Sequence, residues 1–118
     1  MYTFIWYGKC TTCQKARKHL EEMNIPFVVR EIKEDNPSIE ELKEWSSMSE
    51  LPLRKFFNTS GIKYRELELS KKMDSLSDEE KLELLASDGM LVKRPLLIGE
   101  GVVLIGYRKE AYDSLNSK

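Results

Sequence analysis

Tyr2-Thr3-Phe4-Ile5-Trp6-Tyr7-Gly8-Lys9-Cys10-Thr11-Thr12-Cys13 joins an apolar run without helical period to a cysteine pair at the start of a segment that has one. Residues 2 to 7 combine β-branched and aromatic side chains, as a strand buried on both faces does. From Cys13 the period changes: Cys13, Ala16, Leu20 and Met23 share one helical face, with Lys15, Arg17, Lys18, Glu21 and Glu22 off it. Thr11 and Gln14 have the spacing of a capping box, which predicts a helix start at Thr11. Cys10 then stands just before the free amides at the positive end of the helix dipole, where a thiolate is favoured over a thiol. A free cysteine titrates near 8.5, whereas cysteines at helix N-termini or in C-x-x-C motifs fall to about 3.5–7.5. Cys13, one turn in on the apolar face, is less exposed and placed to attack a mixed disulfide on Cys10. The expected roles are Cys10 as nucleophile and Cys13 as resolving thiol.

Two plainer readings compete with redox chemistry. A structural zinc site needs four ligands, but these are the only two cysteines and the chain adds only His19, so no metal is expected. The other is a pair of buried, inert thiols; the strand-to-helix setting favours the redox reading. His19 itself reads as a surface or boundary residue.

Outward from the pair, Asn24-Ile25-Pro26 stops the first helix and residues 27 to 32 read as a second strand. A strand, helix and strand within some thirty residues make a βαβ unit, its strands parallel and its crossover right-handed. Ser38 with Glu41 opens a helix carrying Ile39, Leu42 and Trp45 on one face, the acidic residues around them forming a solvated side. Pro52 suits the first turn of a short helix, residues 53 to 57, ending in Asn58-Thr59-Ser60-Gly61. Residues 63 to 67 lack a regular pattern. Ser77 with Glu80 opens a further helix, with Leu82, Leu85 and Ala86 inward and Asp88-Gly89 closing it. Residues 96–98 and 102–105, joined by Gly99-Glu100-Gly101, read as an antiparallel hairpin. Residues 109–116 suggest a last helix with Ala111, Tyr112 and Leu115 inward.

At 118 residues the chain is expected to be one domain, 1–118, with a helical insertion at about 36–92. A formal charge of −1 gives no support for direct nucleic-acid binding. No apolar stretch approaches a membrane span, and the N-terminus enters a strand without a charged leader, so a cytoplasmic protein is expected. Thiols are kept reduced there, which makes a cysteine pair a catalyst or switch and not a staple.

Three segments carry a resemblance over essentially the whole chain: residues 7–13, then Lys55-Phe56-Phe57-Asn58-Thr59-Ser60-Gly61 with Lys63-Tyr64-Arg65-Glu66, then residues 84–95 ending Val92-Lys93-Arg94-Pro95. Together they resemble the arsenate reductase (ArsC)/Spx family, and most closely its small bacterial arsenate reductase-like or Spx-like branch. The resemblance implies an α/β thioredoxin-like fold with a four-stranded mixed sheet, ordered β-α-β, helical insertion, β-β-α, and a cis bond before Pro95. In the family's reductases the cysteine matching Cys10 attacks arsenate, arginines hold the oxyanion, and glutathione with glutaredoxin completes the reduction. Arg94 matches one of those arginines. Asn58 stands where a second is found, and a third position falls near Gly106, with Arg54 and Arg108 nearby but not on those positions. Arg94, Asn58, Thr11 and Thr12 are thus the candidate anion- or substrate-binding residues. Spx regulators carry a Cys-x-x-Cys redox switch and bind the RNA polymerase α subunit. The implied partners are therefore arsenate or another small oxyanion or disulfide, with glutaredoxin or thioredoxin as electron donor, or alternatively the polymerase α C-terminal domain. No bound cofactor is implied.

Overall fold

The computed structural model describes residues 1–115. In chain order its elements are β1 (Tyr2–Trp6), α1 (Thr11–Glu22), β2 (Phe27–Glu31), α2 (Ile39–Ser49), a 3-10 turn at Leu53–Phe56, α3 (Ile62–Glu66), α4 (Leu69–Lys72), a 3-10 turn at Met73–Ser75, α5 (Asp78–Ser87), a 3-10 turn at Gly89–Leu91, β3 (Leu96–Gly99), β4 (Val102–Ile105) and α6 (Lys109–Asp113). They fall into two compact units, Met1–Glu31 with the residues from Arg94 on, and Ile32–Lys93.

The first unit holds the sheet, in the order β2-β1-β3-β4. β1 and β2 are parallel, with Tyr2 opposite Phe27 and Trp6 opposite Glu31, as the βαβ reading requires. β3 runs antiparallel to β1 and to β4, so the sheet is mixed and the expected α/β, thioredoxin-like fold class holds. Phe4 lies opposite Leu97, and both bury with Ala16 and Leu20 of α1, Ile25 and Tyr112 of α6. Each such large side chain contributes about 1.5–3 kcal/mol by leaving water. The hairpin turns at Glu100 and Gly101, both with positive φ, as a two-residue loop between right-twisted strands demands.

In the second unit α2 and α5 pack together. Both begin with complete capping boxes, Ser38 with Glu41 and Ser77 with Glu80. The Asn36 amide donates to the Ala86 carbonyl at 2.7 Å, closing the end of α5 onto the segment before α2. Gly89 is demanded by close approach, since a Cβ there would lie 2.1 Å from the Ile32 carbonyl oxygen. Phe57 bridges Val92, flanked by Asn58 N–H to the Leu91 carbonyl at 2.8 Å and Lys93 N–H to the Phe56 carbonyl at 2.7 Å.

Several elements differ from the sequence reading. Residues 62–66 form α3, not irregular chain: the segment is five residues long, too short to show a period, and only Tyr64 turns inward. The helix after Pro52 is a 3-10 turn ending at Phe56. Asp88 ends α5 and then caps the turn at Gly89–Leu91 by accepting the Met90 N–H at 2.8 Å. α6 ends at Asp113; residue 116 of the expected helix lies outside the described residues.

Candidate functional site

α1 begins at Thr11, but its cap is Cys10 and not Thr11. Cys10 has extended backbone angles, and its sulfur accepts the Cys13 N–H at 3.4 Å. Gln14, expected to reach back to the cap, instead donates its side-chain amide to the Gly8 carbonyl at 2.7 Å, because the helix is capped one residue earlier. The Cys10 N–H is held by the Tyr7 carbonyl at 3.0 Å, so the loop leaving β1 fixes where the sulfur points. Cys10 is half-buried and Cys13 fully buried.

Arg94 precedes Pro95, and the bond between them is cis, as expected. Its guanidinium lies over the Tyr7 ring, 5.2 Å from the ring centre. Among the described residues its Nε and Nη1 are buried without a hydrogen-bond partner. Buried unpaired donors on a cation are costly, and an anion is the group that satisfies them. The Pro95 carbonyl accepts the Gly106 N–H at 2.9 Å, which anchors the segment carrying Arg94.

These surroundings split the two thiols. Burial pushes Cys10 up, but the Cys13 backbone and thiol and the Arg94 guanidinium outweigh it and hold Cys10 below its ordinary value. Burial pushes Cys13 up to about 12, with the neighbouring Cys10 adding to it. One thiol is thus poised to ionise while the other keeps its proton.

The structure gathers Cys10, Cys13, Arg94 and Pro95 in the first unit, with Thr11 and Thr12 exposed in the first turn of α1. Asn58 belongs to the second unit. There its side chain donates to the Met90 carbonyl at 3.5 Å and accepts from the Ser60 hydroxyl at 3.3 Å. Arg54 and Arg108 are both exposed.

Two groups escaped the sequence reading. Tyr7 was read as the end of the strand and the start of the segment carrying the resemblance, with no role of its own, yet its ring carries Arg94. His19 is more than a boundary residue: its Nε2 donates to Asp113 at 2.8 Å and its Nδ1 pairs with the Tyr107 hydroxyl at 2.7 Å. Their partners lie some ninety residues away, so no local pattern could signal them. Among the described residues no group of three or more His, Cys, Asp or Glu could hold a metal, and no helix is long and apolar enough to cross a membrane.

A family model described as the ArsC family matches residues 5–115. The uncharacterized protein YusI of Bacillus subtilis is 51% identical over 94% of this chain and 94% of its own. The global transcriptional regulator Spx of Listeria innocua is 32% identical over 93% of this chain and 82% of its own. A crystal structure from Streptococcus mutans, titled a "possible arsenate reductase", is 47% identical, has a TM-score of 0.84 and covers 92% of either chain.

Proposed function

The chain belongs to the ArsC family, and from that premise we propose that it is a thiol–disulfide oxidoreductase in which Cys10 attacks and Cys13 resolves. The observation that carries this reading is the unequal placement of the thiols: Cys10 caps α1 half-buried, its sulfur accepting the Cys13 N–H, while Cys13 is fully buried, and these surroundings with Arg94 favour the Cys10 thiolate and oppose that of Cys13. The Cys10 thiolate displaces one sulfur of a disulfide as a thiolate and forms a mixed disulfide. Cys13 then loses its proton to water and attacks Cys10 Sγ, releasing the second thiolate. Both electrons come from the pair, which ends as a Cys10–Cys13 disulfide for glutaredoxin with glutathione, or thioredoxin, to reduce.

The unpaired Nε and Nη1 of Arg94 support a small oxyanion at the same site. With arsenate, the thiolate takes the place of an oxygen on arsenic, lost as water. Attack of the second thiol on Cys10 Sγ then leaves the electron pair on arsenic, taking it from As(V) to As(III). The family's two further arginines are replaced here, at Asn58 and near Gly106, which removes about 3–6 kcal/mol of oxyanion recognition at about 1.5–3 each. Arsenate is therefore the oxyanion to test, with weak binding expected.

The test is the pH dependence of Cys10 alkylation in a Cys13→Ser variant, with and without arsenate. A midpoint below the ordinary thiol value is expected, with slower alkylation when arsenate is present. An ordinary midpoint would sink the activated-nucleophile reading; a low midpoint without protection would remove the oxyanion and leave disulfide chemistry.

The Spx relative favours a second reading, in which the same pair is a redox sensor on a regulator that binds the polymerase α C-terminal domain. Capture of that domain by the oxidised but not the reduced protein, with no turnover of disulfides, is its expected signature.

A further inference from the structure

Tyr7 follows β1 directly and touches both the nucleophile and its cation. Its carbonyl accepts the Cys10 N–H at 3.0 Å, and the Arg94 guanidinium carbon lies over its ring, 5.2 Å from the centre. A ring face attracts a cation within about 6 Å of its centre, and a planar guanidinium is suited to stacking on it. Two of the guanidinium nitrogens have no other anchor: among the described residues the buried Nε and Nη1 lack a hydrogen-bond partner. The backbone beneath is held by the Gly106 N–H on the Pro95 carbonyl at 2.9 Å, but a fixed backbone does not by itself choose among the rotamers of a long side chain. The neighbouring ring cannot take over, since Trp6 carries Arg17, whose guanidinium carbon lies 4.7 Å from its centre. Against the burial that opposes charge on Cys10, the Cys13 amide and thiol and then the Arg94 guanidinium favour its thiolate.

We propose that the Tyr7 ring is the platform that aims the Arg94 guanidinium at Cys10, which makes Tyr7 a positioning residue for the attacking thiolate. The proposal rests on the Cys10 chemistry above and adds to it what keeps the cation in place. One residue then ties the two together, with its carbonyl on Cys10 and its ring on Arg94. Leucine at position 7 fills much of the same space but has no negative face for a cation. Phenylalanine keeps that face and loses only the hydroxyl.

Alkylation of Cys10 across pH in the full-length reduced protein, in a Cys13→Ser background, reads the placement of the cation through the thiolate. Tyr7→Leu is expected to raise the midpoint by about half a pH unit, about a threefold loss of thiolate below it, and Tyr7→Phe to restore it. Because the ring acts through the guanidinium, Tyr7→Leu should add nothing once Arg94→Met is present. A loop merely loosened around Cys10 would raise the midpoint equally with and without Arg94, and that result overturns the proposal. If the leucine variant does not fold, phenylalanine carrying ring fluorines, placed at position 7, keeps the shape and weakens the negative face. The midpoint should then climb with the number of fluorines, and a flat series overturns the proposal. An ordinary midpoint in the Tyr7 protein overturns the activated nucleophile and the role of Tyr7 with it, and one unmoved by Arg94→Met removes the cation that Tyr7 would place. A low midpoint that responds to Arg94→Met but not to position 7 overturns the role of Tyr7 alone.

Discussion

In the proposed chemistry Arg94 acts on Cys10 as a charge and on an oxyanion as a planar hydrogen-bond donor, and the two roles separate under substitution. Arg94→Met removes both, so the Cys10 midpoint moves up toward its ordinary value and protection by arsenate is lost. Arg94→Lys keeps the charge but replaces the planar, two-pronged donor with a point charge. It should retain part of the lowering at Cys10 while weakening arsenate protection by about tenfold or more. Alkylation rates across pH, with arsenate titrated into each variant, check both; a Lys variant that protects as well as Arg94 would sink the planar-donor role. Cys10, Cys13 and Arg94 were legible from sequence because each is marked locally, by a strand-to-helix junction or by the proline that follows. Tyr7 and His19 were not, because their partners, the Arg94 guanidinium for one and the Tyr107 hydroxyl and Asp113 carboxylate for the other, come from the far end of the chain, whereas Tyr112 was legible as an inward residue and is buried.

Elements with a local signal were mostly legible, and the exceptions are a cap decided by a competing side-chain contact and a helix too short to show a period. The capping boxes at Ser38 and Ser77 are i to i+3 patterns and stand as read, with both reciprocal bonds formed. Ser38→Ala and Ser77→Ala should each cost about 1 kcal/mol, read from denaturant midpoints. The same rule misassigned the cap of α1, because sulfur is an uncommon capping acceptor and Gln14 had the Gly8 carbonyl within reach. α3 was missed because five residues carry no period. The hairpin was legible from its glycines, but not the strain at Glu100, whose φ of 51° suits asparagine better. Its carboxylate pairs with the terminal ammonium of Met1, an exposed contact of small worth. Glu100→Asn is therefore expected to stabilise the protein by about 0.5 kcal/mol, raising the denaturant midpoint. A lowered midpoint would show that the terminal ion pair outweighs the turn.

At the scale of the whole molecule the buried thiol and phenol govern how stability responds to alkali. Cys13 is pushed up to about 12 from an ordinary value of 9.0. Its contribution is fully present while folded and unfolded chains both hold the proton, and is lost as pH rises above 9, because the unfolded thiol ionises first. Tyr112 is pushed up from 10.0, again by burial first, and adds a second loss above that value. Cys10 has the opposite sign: its folded thiol ionises first, so its contribution is present above the ordinary thiol value and is lost as pH falls through the lowered one. Stability of the reduced protein should therefore rise with pH up to the ordinary thiol value and then fall. The fall should be about 1.4 kcal/mol per pH unit from Cys13, and about twice that once unfolded tyrosine also ionises. Urea midpoints of the reduced protein from neutral to alkaline pH measure the profile. Cys13→Ala should remove the first part of the fall and keep the second, while Cys10→Ser should remove the rise. An alkaline fall identical in wild type and Cys13→Ala would mean that Cys13 does not hold its proton in the fold, and the division of labour between the two thiols would go with it.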